Sequence, residues 1–172
     1  MKDETTMEIS RKKAEKTPVL RVRDLRFKYN DEKHALNGVD LEIEEGEKIA
    51  VLGSNGAGKS TFFLNINGVL KPHSGEIFYR GEKINRKNLN HLRKNVGIVF
   101  QDADNQIIAS TVMAEVSFGP MNLKLPKKEV LRRVDKALDY MNIQEFRDRP
   151  PHYLSGGEKK RVSIADIIAM ES

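Results

Sequence analysis

The chain has 172 residues, of which 38% are hydrophobic and 32% are charged, and its formal net charge is +5. This length suffices for the core of one compact domain, and the lack of cysteine excludes a disulfide framework and thiolate metal sites. Because no apolar run approaches the length of a membrane span and the first residues are too polar for a signal peptide, we expect a cytosolic protein.

The positive charge is concentrated in two places, the first thirty residues and a later run. Residues 1–16 contain many Lys, Arg and Glu residues and few large apolar ones, which predicts a disordered basic tail. A second basic run lies between Lys124 and Lys136. Such runs can face nucleic acid or anionic lipid, although a solvated protein surface is the more frequent explanation.

Hydrophobic alternation predicts that the ordered part of the chain begins with antiparallel strands. A first strand is indicated by the alternating residues Leu20, Val22, Leu25, Phe27 and Tyr29, with a shift of one residue at Arg23-Asp24. A turn at residues 30–33 separates it from a second strand, which is indicated by Val39, Leu41 and Ile43.

A glycine-rich loop follows the predicted strand Ile49–Leu52 and precedes a predicted helix that begins near Lys59. Its pattern, G-x-x-x-x-G-K-S from Gly53 to Ser60, is typical of loops whose backbone N–H groups bind a polyphosphate. Glycine suits this loop because Cβ atoms would restrict the backbone angles and the approach of the phosphates. The helix N-terminus attracts the same anion, Lys59 reaches the β- and γ-phosphates, and Ser60 can hold Mg²⁺. The alternative is a turn that merely links a strand to a helix.

Three further elements are predicted after the loop. In chain order they are a helix from Ser60 to Val69, a hairpin with strands at 76–79 and 83–84, and a buried strand from Val96 to Phe100. The hairpin turn is placed at Arg80-Gly81.

Helical spacing of apolar residues then predicts a helical lobe at about residues 105–154. One helix begins at Thr111 and is expected to break at Gly119-Pro120, and another follows Pro126. We expect this lobe to be inserted into an α/β body, so that residues 17–172 form a single domain.

The segment Leu154–Glu158 precedes an apolar-rich helix. Ser155 as the N-cap residue and Glu158 three residues later predict a capping box. A capping box does not explain the two glycines between them, since each costs about 1 kcal/mol relative to alanine within a helix. Bare backbone at a helix N-terminus instead indicates the close approach of an anion.

Taken together, these motifs resemble those of the ATP-binding-cassette (ABC) ATPases. Gly53–Ser60 matches the family's Walker A motif, Gln101 its Q-loop and Leu154–Glu158 its signature motif, in the same order and spacing. The segments 100–106 and 116–122 are also similar to the cobalt and energy-coupling-factor (ECF) importer subfamily.

The resemblance implies an α/β fold: a P-loop NTPase core with an antiparallel β subdomain and an inserted helical lobe. It implies ATP and Mg²⁺ as ligands and a transport ATPase activity at the cytoplasmic face of the membrane. The implied partners are a second ATPase subunit, identical or not, a transmembrane coupling subunit and a substrate-binding membrane subunit, with no nucleic acid. The cargo would be a metal ion such as cobalt, or a vitamin.

The same resemblance implies a set of nucleotide-binding residues. They are Tyr29, Gly53, Ser54, Asn55, Gly56, Ala57, Gly58, Lys59, Ser60, Thr61, Gln101, Ser155, Gly156, Gly157 and Glu158. Ser60 and Gln101 are also the implied Mg²⁺ ligands. Tyr29 stands where the family places an aromatic residue against adenine, although an aromatic residue at strand spacing more often belongs to a core.

The family continues past the signature helix into a Walker B strand that carries the catalytic glutamate, whereas this chain ends at Ser172. No run of four apolar residues followed by Asp-Glu occurs elsewhere, so no catalytic residue is identified. We therefore expect a truncated form without the C-terminal part of the core, marginally stable because omitted strands leave apolar surface exposed. Losing the group that activates water typically slows hydrolysis about 10²- to 10⁴-fold.

Two other functions compete with the importer subunit. A non-hydrolytic nucleotide-binding module that regulates a full-length partner would bind ATP without releasing phosphate. A soluble cassette ATPase that acts on nucleic acid or the ribosome is weakly favoured by the basic runs, but the sequence has no tandem cassette or long coiled-coil insertion.

Overall fold

The computed structural model describes residues 17–29, 34–102 and 106–170. The predicted tail at residues 1–16 and the predicted turn at residues 30–33 lie outside the described residues. The chain divides into two compact units, the first formed by Met1–Ala57 and Pro72–Ile84 and the second by Gly58–Lys71 and Asn85–Ser172.

The first unit is built on an antiparallel sheet. Its strands are β1 (Leu20–Lys28), β2 (His34–Ile43), β3 (Ser74–Tyr79) and β4 (Glu82–Lys83), in the spatial order β2-β1-β3-β4. All three neighbouring pairs are antiparallel, which confirms the predicted opening strands and the predicted hairpin.

The one-residue shift in β1 is confirmed as a bulge. Val22 pairs with Leu41 and Leu25 pairs with Val39, so two residues of β1 lie opposite Asp40 alone. Asp24 has a φ of 43°, and its N–H donates to the Asp40 carboxylate at 2.9 Å. The bulge therefore keeps Val22 and Leu25 on the same buried face of the sheet.

The turn between β3 and β4 is also confirmed. Arg80 and Gly81 have φ values of 48° and 82°. Two successive left-handed residues are the feature of the two-residue hairpin turn whose twist matches that of paired strands.

The second unit is helical. Its α-helices are α1 (Lys59–Ile66), α2 (Leu89–Asn95), α3 (Val112–Asn122), α4 (Lys127–Tyr140) and α5 (Gly156–Ala169), with short 3₁₀ helices at Gln144–Phe146 and Pro151–Tyr153. The core joins α3, α4 and α5 through residues that include Val116, Val134, Leu138, Val162 and Ala165, all 0% exposed. This packing holds the start of α5 against the helices that precede it.

The predicted helix break at Gly119-Pro120 is wrong, because α3 continues through both residues to Asn122. Pro120 has no N–H to donate within the helix, but the helix closes after it, since the N–H of Leu123 donates to the Gly119 carbonyl at 3.2 Å. Gly119 lies against the end of α5. A Cβ there would lie 2.4 Å from Sδ of Met170, so the glycine lets α3 approach the end of α5 closely.

Two predicted strands are absent. Neither Ile49–Leu52 nor Val96–Phe100 is a strand in the described residues, and Leu52 and Phe100 are exposed. Their apolar character is that of strands in a sheet covered on both faces, but a strand also needs a neighbour for its backbone hydrogen bonds. No strand of the described residues pairs with either segment. The helix α2 was not predicted, since it is short and has one buried residue, Leu92.

The basic run on α4 forms local ion pairs. Arg132 and Arg133 both contact the carboxylate of Glu129, at 2.7 and 2.8 Å. Hydrogen bonds from Arg132 and then Arg133 lower the pKa of Glu129 to about 2. Part of this positive charge is therefore neutralised within the helix, as expected of a solvated face.

Within the described residues, no helix is both long and apolar enough to span a bilayer.

Candidate functional site

The glycine-rich loop lies at the end of the first of the two segments that form the first unit, and its residues from Leu52 to Ala57 are exposed. Gly56 has a φ of 80°, and the N–H of Ala57 donates to the Ser54 carbonyl at 3.2 Å. A Cβ at Gly56 would meet no atom within 4 Å. The backbone angle, not the lack of space, therefore requires glycine at this position.

The second unit begins with the start of α1. Gly58, the N-cap residue, has a φ of 89° and has no side chain with which to cap the helix. The first turn contains no acidic residue and does contain Lys59 and Ser60. Thr61 and Phe62, in the first turn of the helix, are buried and fix it to the rest of the unit. An uncapped N-terminus with a lysine and no carboxylate suits an anionic ligand such as a polyphosphate.

Tyr29 follows β1 and is 66% exposed. Its ring makes a T-shaped contact with that of Phe27, at a centroid distance of 5.0 Å and an interplanar angle of 83°. Phe27 is buried, so it supports Tyr29 while leaving the larger part of that ring to solvent. The structure thus places Tyr29 on the surface of the first unit and not in its core.

Gln101 lies in the irregular segment before α3, and its side chain is exposed. The backbone around it is held by two side chains. The N–H of Phe100 donates to Oε1 of Gln106 at 3.1 Å. Nζ of Lys160, on α5, donates to the carbonyl of Gln101 at 2.8 Å and also to that of Phe100.

The signature segment begins α5 with the predicted capping box, which is confirmed. The N–H of Ser155 donates to Oε2 of Glu158 at 2.7 Å, and the N–H of Glu158 donates to Oγ of Ser155 at 3.4 Å. The backbone N–H and then the hydroxyl of Ser155 hold the pKa of Glu158 below its usual value. Glu158 is therefore a capping carboxylate that stays ionised.

Gly156 and Gly157 lie in the first turn of α5 and are exposed. A Cβ at either position would meet no atom within 4 Å, and neither residue has a positive φ. Nothing within the described part of this chain requires glycine at these two positions. The open space around this bare backbone leaves room for an external group, as the sequence predicts.

In the second unit, the predicted residues lie at the starts of two helices and in the segment before α3. Lys59 and Ser60 begin one exposed helix end, and Ser155 to Glu158 begin another. Gln101 is linked to the second of these by Lys160. Sequence reasoning missed Lys160 and Gln106, since a lysine in a basic run and a glutamine in a loop carry no signal of a long-range contact.

The predicted Mg²⁺ ligands are Ser60 and Gln101, a hydroxyl and a neutral amide. Among the described residues, no group of three or more His, Cys, Asp or Glu side chains could hold a metal ion. This composition fits Mg²⁺ bound mainly by phosphate and water oxygens, which needs few protein ligands.

A cavity of about 520 Å³ lies elsewhere in the second unit, between α2, α3 and α5. Arg93, Lys94, Phe118 and Asp166 are among the residues that line it. Burial, with a smaller effect from the charge of Glu115, raises the pKa of Asp166 to about 6. The folded chain thus keeps this proton to a higher pH than the unfolded chain, in which the usual value is 3.8.

Asp166→Asn is expected to stabilise the chain at neutral pH. Because the native pKa is the higher one, stability falls as the pH rises from about 4 to 6, and the full cost of the buried carboxylate remains above that range. At pH 7.5 we expect a gain in unfolding free energy on the order of 1 to 3 kcal/mol, and about half of it at pH 5. Urea denaturation at both pH values measures the difference. The exposed Asp139→Asn is the control, and an equal gain at both pH values would contradict the assignment.

The chain is similar to known proteins in both sequence and fold. The sequence profile of the ABC transporter family matches residues 36–172. The chain is 53% identical over 153 residues to the energy-coupling factor transporter ATP-binding protein EcfA of Methanoculleus marisnigri, with 89% of this chain and 55% of that protein covered. The chain thus spans about half the length of the curated relatives it matches.

Solved structures give the same result. The fold is similar to that of cbiO1 from Clostridium perfringens, described as part of the ABC transporter complex cbiONQ, with a TM-score of 0.81 and 48% identity. That match covers 90% of this chain and 62% of the other. A dimeric, post-hydrolysis structure of the ATP-binding cassette MJ0796 with ADP and Pi matches with a TM-score of 0.75 and 28% identity, over 88% of this chain and 70% of that one. The predicted α/β fold of ABC ATPases is confirmed.

Proposed function

This chain belongs to the ABC transporter family, and on that premise we propose that it binds ATP and Mg²⁺ as the energy-coupling subunit of an ECF-type importer. The observation that carries the proposal is the exposed start of α1 after a G-x-x-x-x-G-K-S loop, uncapped and without a carboxylate. The similarity to EcfA proteins over 89% of the chain supports the ECF type.

In this proposal the triphosphate is bound by Lys59 and by the backbone N–H groups from Gly53 to Thr61. The left-handed residues Gly56 and Gly58 provide the turn that such a loop needs, and the positive end of the α1 dipole adds to the attraction. Ser60 and Gln101 would hold Mg²⁺ beside the phosphates. The described residues supply nucleotide binding and no identified catalytic carboxylate, so hydrolysis that drives transport is proposed for the whole importer.

Tyr29 is proposed to stack on the adenine ring. Its exposed ring is in T-shaped contact with the buried Phe27, and the larger part of its surface is open for stacking. Stacking of this kind selects a planar base but does not distinguish adenine strongly from guanine.

The signature segment is proposed to bind the γ-phosphate of a nucleotide held by a second ATPase subunit. Ser155, Gly156 and Gly157 are exposed at the N-terminus of α5, where the helix dipole favours an anion. The open space around both glycines allows another subunit to approach the bare backbone.

The remaining partners are proposed from the relatives. A transmembrane coupling subunit and a substrate-binding membrane subunit would hold this chain at the cytoplasmic face of the membrane as a peripheral subunit. The cargo, a metal ion such as cobalt or a vitamin, would be chosen by those membrane subunits, since no part of the proposed nucleotide site recognises it.

Gly157→Asp tests the proposal. The dipole of α5 stabilises an acidic side chain in the first turn, and no atom lies within 4 Å of a Cβ at this position. The midpoint of thermal unfolding should therefore stay the same or rise. The added charge would nevertheless repel the phosphates of a nucleotide bound by the second subunit. We expect ATP-dependent association, measured by sedimentation velocity, to weaken about tenfold or more, which corresponds to about 1.4 kcal/mol.

Gly157→Ala is the matched control for this experiment, because it adds bulk without charge. It should weaken association less than Gly157→Asp, and both variants should bind Mg-ATP as monomers with wild-type affinity. Equal association of the wild type and Gly157→Asp would contradict the role assigned to α5.

A further inference from the structure

We infer that Lys160 is a positioning residue that fixes Gln101 relative to the signature end of α5. The inference rests on the proposed function, since it concerns how Gln101 reaches Mg²⁺. The contact itself is an observation: Nζ of Lys160 donates to the carbonyl of Gln101 at 2.8 Å and to that of Phe100.

The segment before Gln101 needs such a contact. It belongs to no strand in the described residues, so no backbone ladder fixes it. Burial contributes little either, because Val99 and Phe100 are 36% and 43% exposed. Polar contacts are therefore the main constraint on the backbone that carries the Gln101 side chain.

Two side chains supply these contacts. Gln106 accepts the N–H of Phe100 at 3.1 Å, and Lys160 donates to the carbonyl of the same residue. The ammonium group makes charge-assisted hydrogen bonds to two successive carbonyls, which are stronger than bonds between neutral groups. Both polar atoms of the Phe100 backbone are thus satisfied by side chains.

Lys160 lies near the signature end of α5, so its contact links that end to Gln101. Lys160 is the fifth residue of α5, one turn after Ser155, and α5 is packed rigidly against α3 and α4. Its neighbour Arg161 donates instead to the carbonyl of Asn142 at 3.2 Å, in the helical part of the unit. Lys160 therefore joins the end of α5 that would face the second subunit's nucleotide to the residue that would contact this subunit's Mg²⁺.

Lys160→Met tests the inference, with Arg161→Met as the matched control that removes the same charge and a hydrogen bond from the same helix turn. Two readouts are needed: amide hydrogen exchange of residues 98–102, and ATP affinity measured with Mg²⁺ and with EDTA. We expect exchange at residues 98–102 to rise about tenfold in Lys160→Met and to be unchanged in Arg161→Met. We expect the affinity gained from Mg²⁺ to fall about three- to tenfold, with the affinity in EDTA unchanged.

Lys160→Arg should restore both readouts, because it keeps a charged donor on a long side chain. If exchange rises in Lys160→Met while the effect of Mg²⁺ is kept, the contact is only structural and the inference fails. The inference also fails if Lys160→Met and Arg161→Met behave alike. Failure of the proposed function is seen separately, in a wild-type chain that binds no ATP or binds it independently of Mg²⁺.

Discussion

Lys59→Ala is expected to reduce the affinity for Mg-ATP at least about 100-fold, a loss of about 3 kcal/mol. The ammonium group at the start of α1 would make charge-assisted hydrogen bonds to the β- and γ-phosphates, and the first turn contains no carboxylate that would compete with them. Its removal leaves phosphate charge that no other side chain in the first turn can neutralise. Isothermal titration calorimetry of the purified chain measures the affinity.

The control for this experiment is Lys71→Ala, which removes the same charge from an exposed position beyond the other end of α1. It should change the affinity less than twofold, since a solvated charge at that distance is screened by salt. Lys59→Arg tests geometry, because it keeps the charge on a planar group of different shape and should bind weakly too. Unchanged affinity in Lys59→Ala would remove the phosphate-binding interpretation of the loop.

Elements whose cause is local were predictable from the sequence. The alternation of β1 and its shift at Arg23-Asp24 appear in the structure as two buried segments around a bulge. The capping box of Ser155 and Glu158 forms between residues three apart, and the Arg80-Gly81 turn needs only the left-handed backbone of two residues. In each case the few residues that determine the conformation lie within three positions of one another in the chain.

Elements whose cause is a distant partner were not predictable. The strand character of Val96–Phe100 was real in composition, but a strand forms only where another strand lies beside it. Gly119-Pro120 predicts a break in α3, whereas the helix continues to Asn122 and is closed by the N–H of Leu123, which donates to the Gly119 carbonyl.

The candidate site likewise contains parts that the sequence predicts locally and parts that depend on distant residues. The loop from Gly53 to Ser60 and the signature segment are predicted as phosphate-binding because phosphate binding imposes a fixed pattern of residue types on a short stretch, and this role stays a prediction. The contact of Lys160 with Gln101 spans 59 residues and leaves no pattern. Tyr29 lies between these cases, since alternation predicts its position in the strand but not whether its ring faces solvent.

Gly75→Ala is expected to destabilise the first unit by about 3 kcal/mol or more, which combines backbone strain with a steric clash. Gly75, in β3, has a φ of 94°, and a Cβ there would lie 2.4 Å from the Asp24 carbonyl oxygen and 2.7 Å from that of Arg23. Both carbonyls belong to the bulge of β1. Movement of these carbonyls would disturb the pairing of the flanking Val22 and Leu25 with β2 and of Arg23 with β3.

Gly46→Ala separates the two causes of this loss. Gly46 has a similar φ of 78°, but a Cβ there would meet no atom within 4 Å. This variant should therefore lose only the cost of the left-handed backbone, about 1 kcal/mol. Urea denaturation followed by circular dichroism measures both values, and hydrogen exchange in β1 should rise only in Gly75→Ala. Equal losses in the two variants would show that the bulge is free to adjust, and the clash argument would then be wrong.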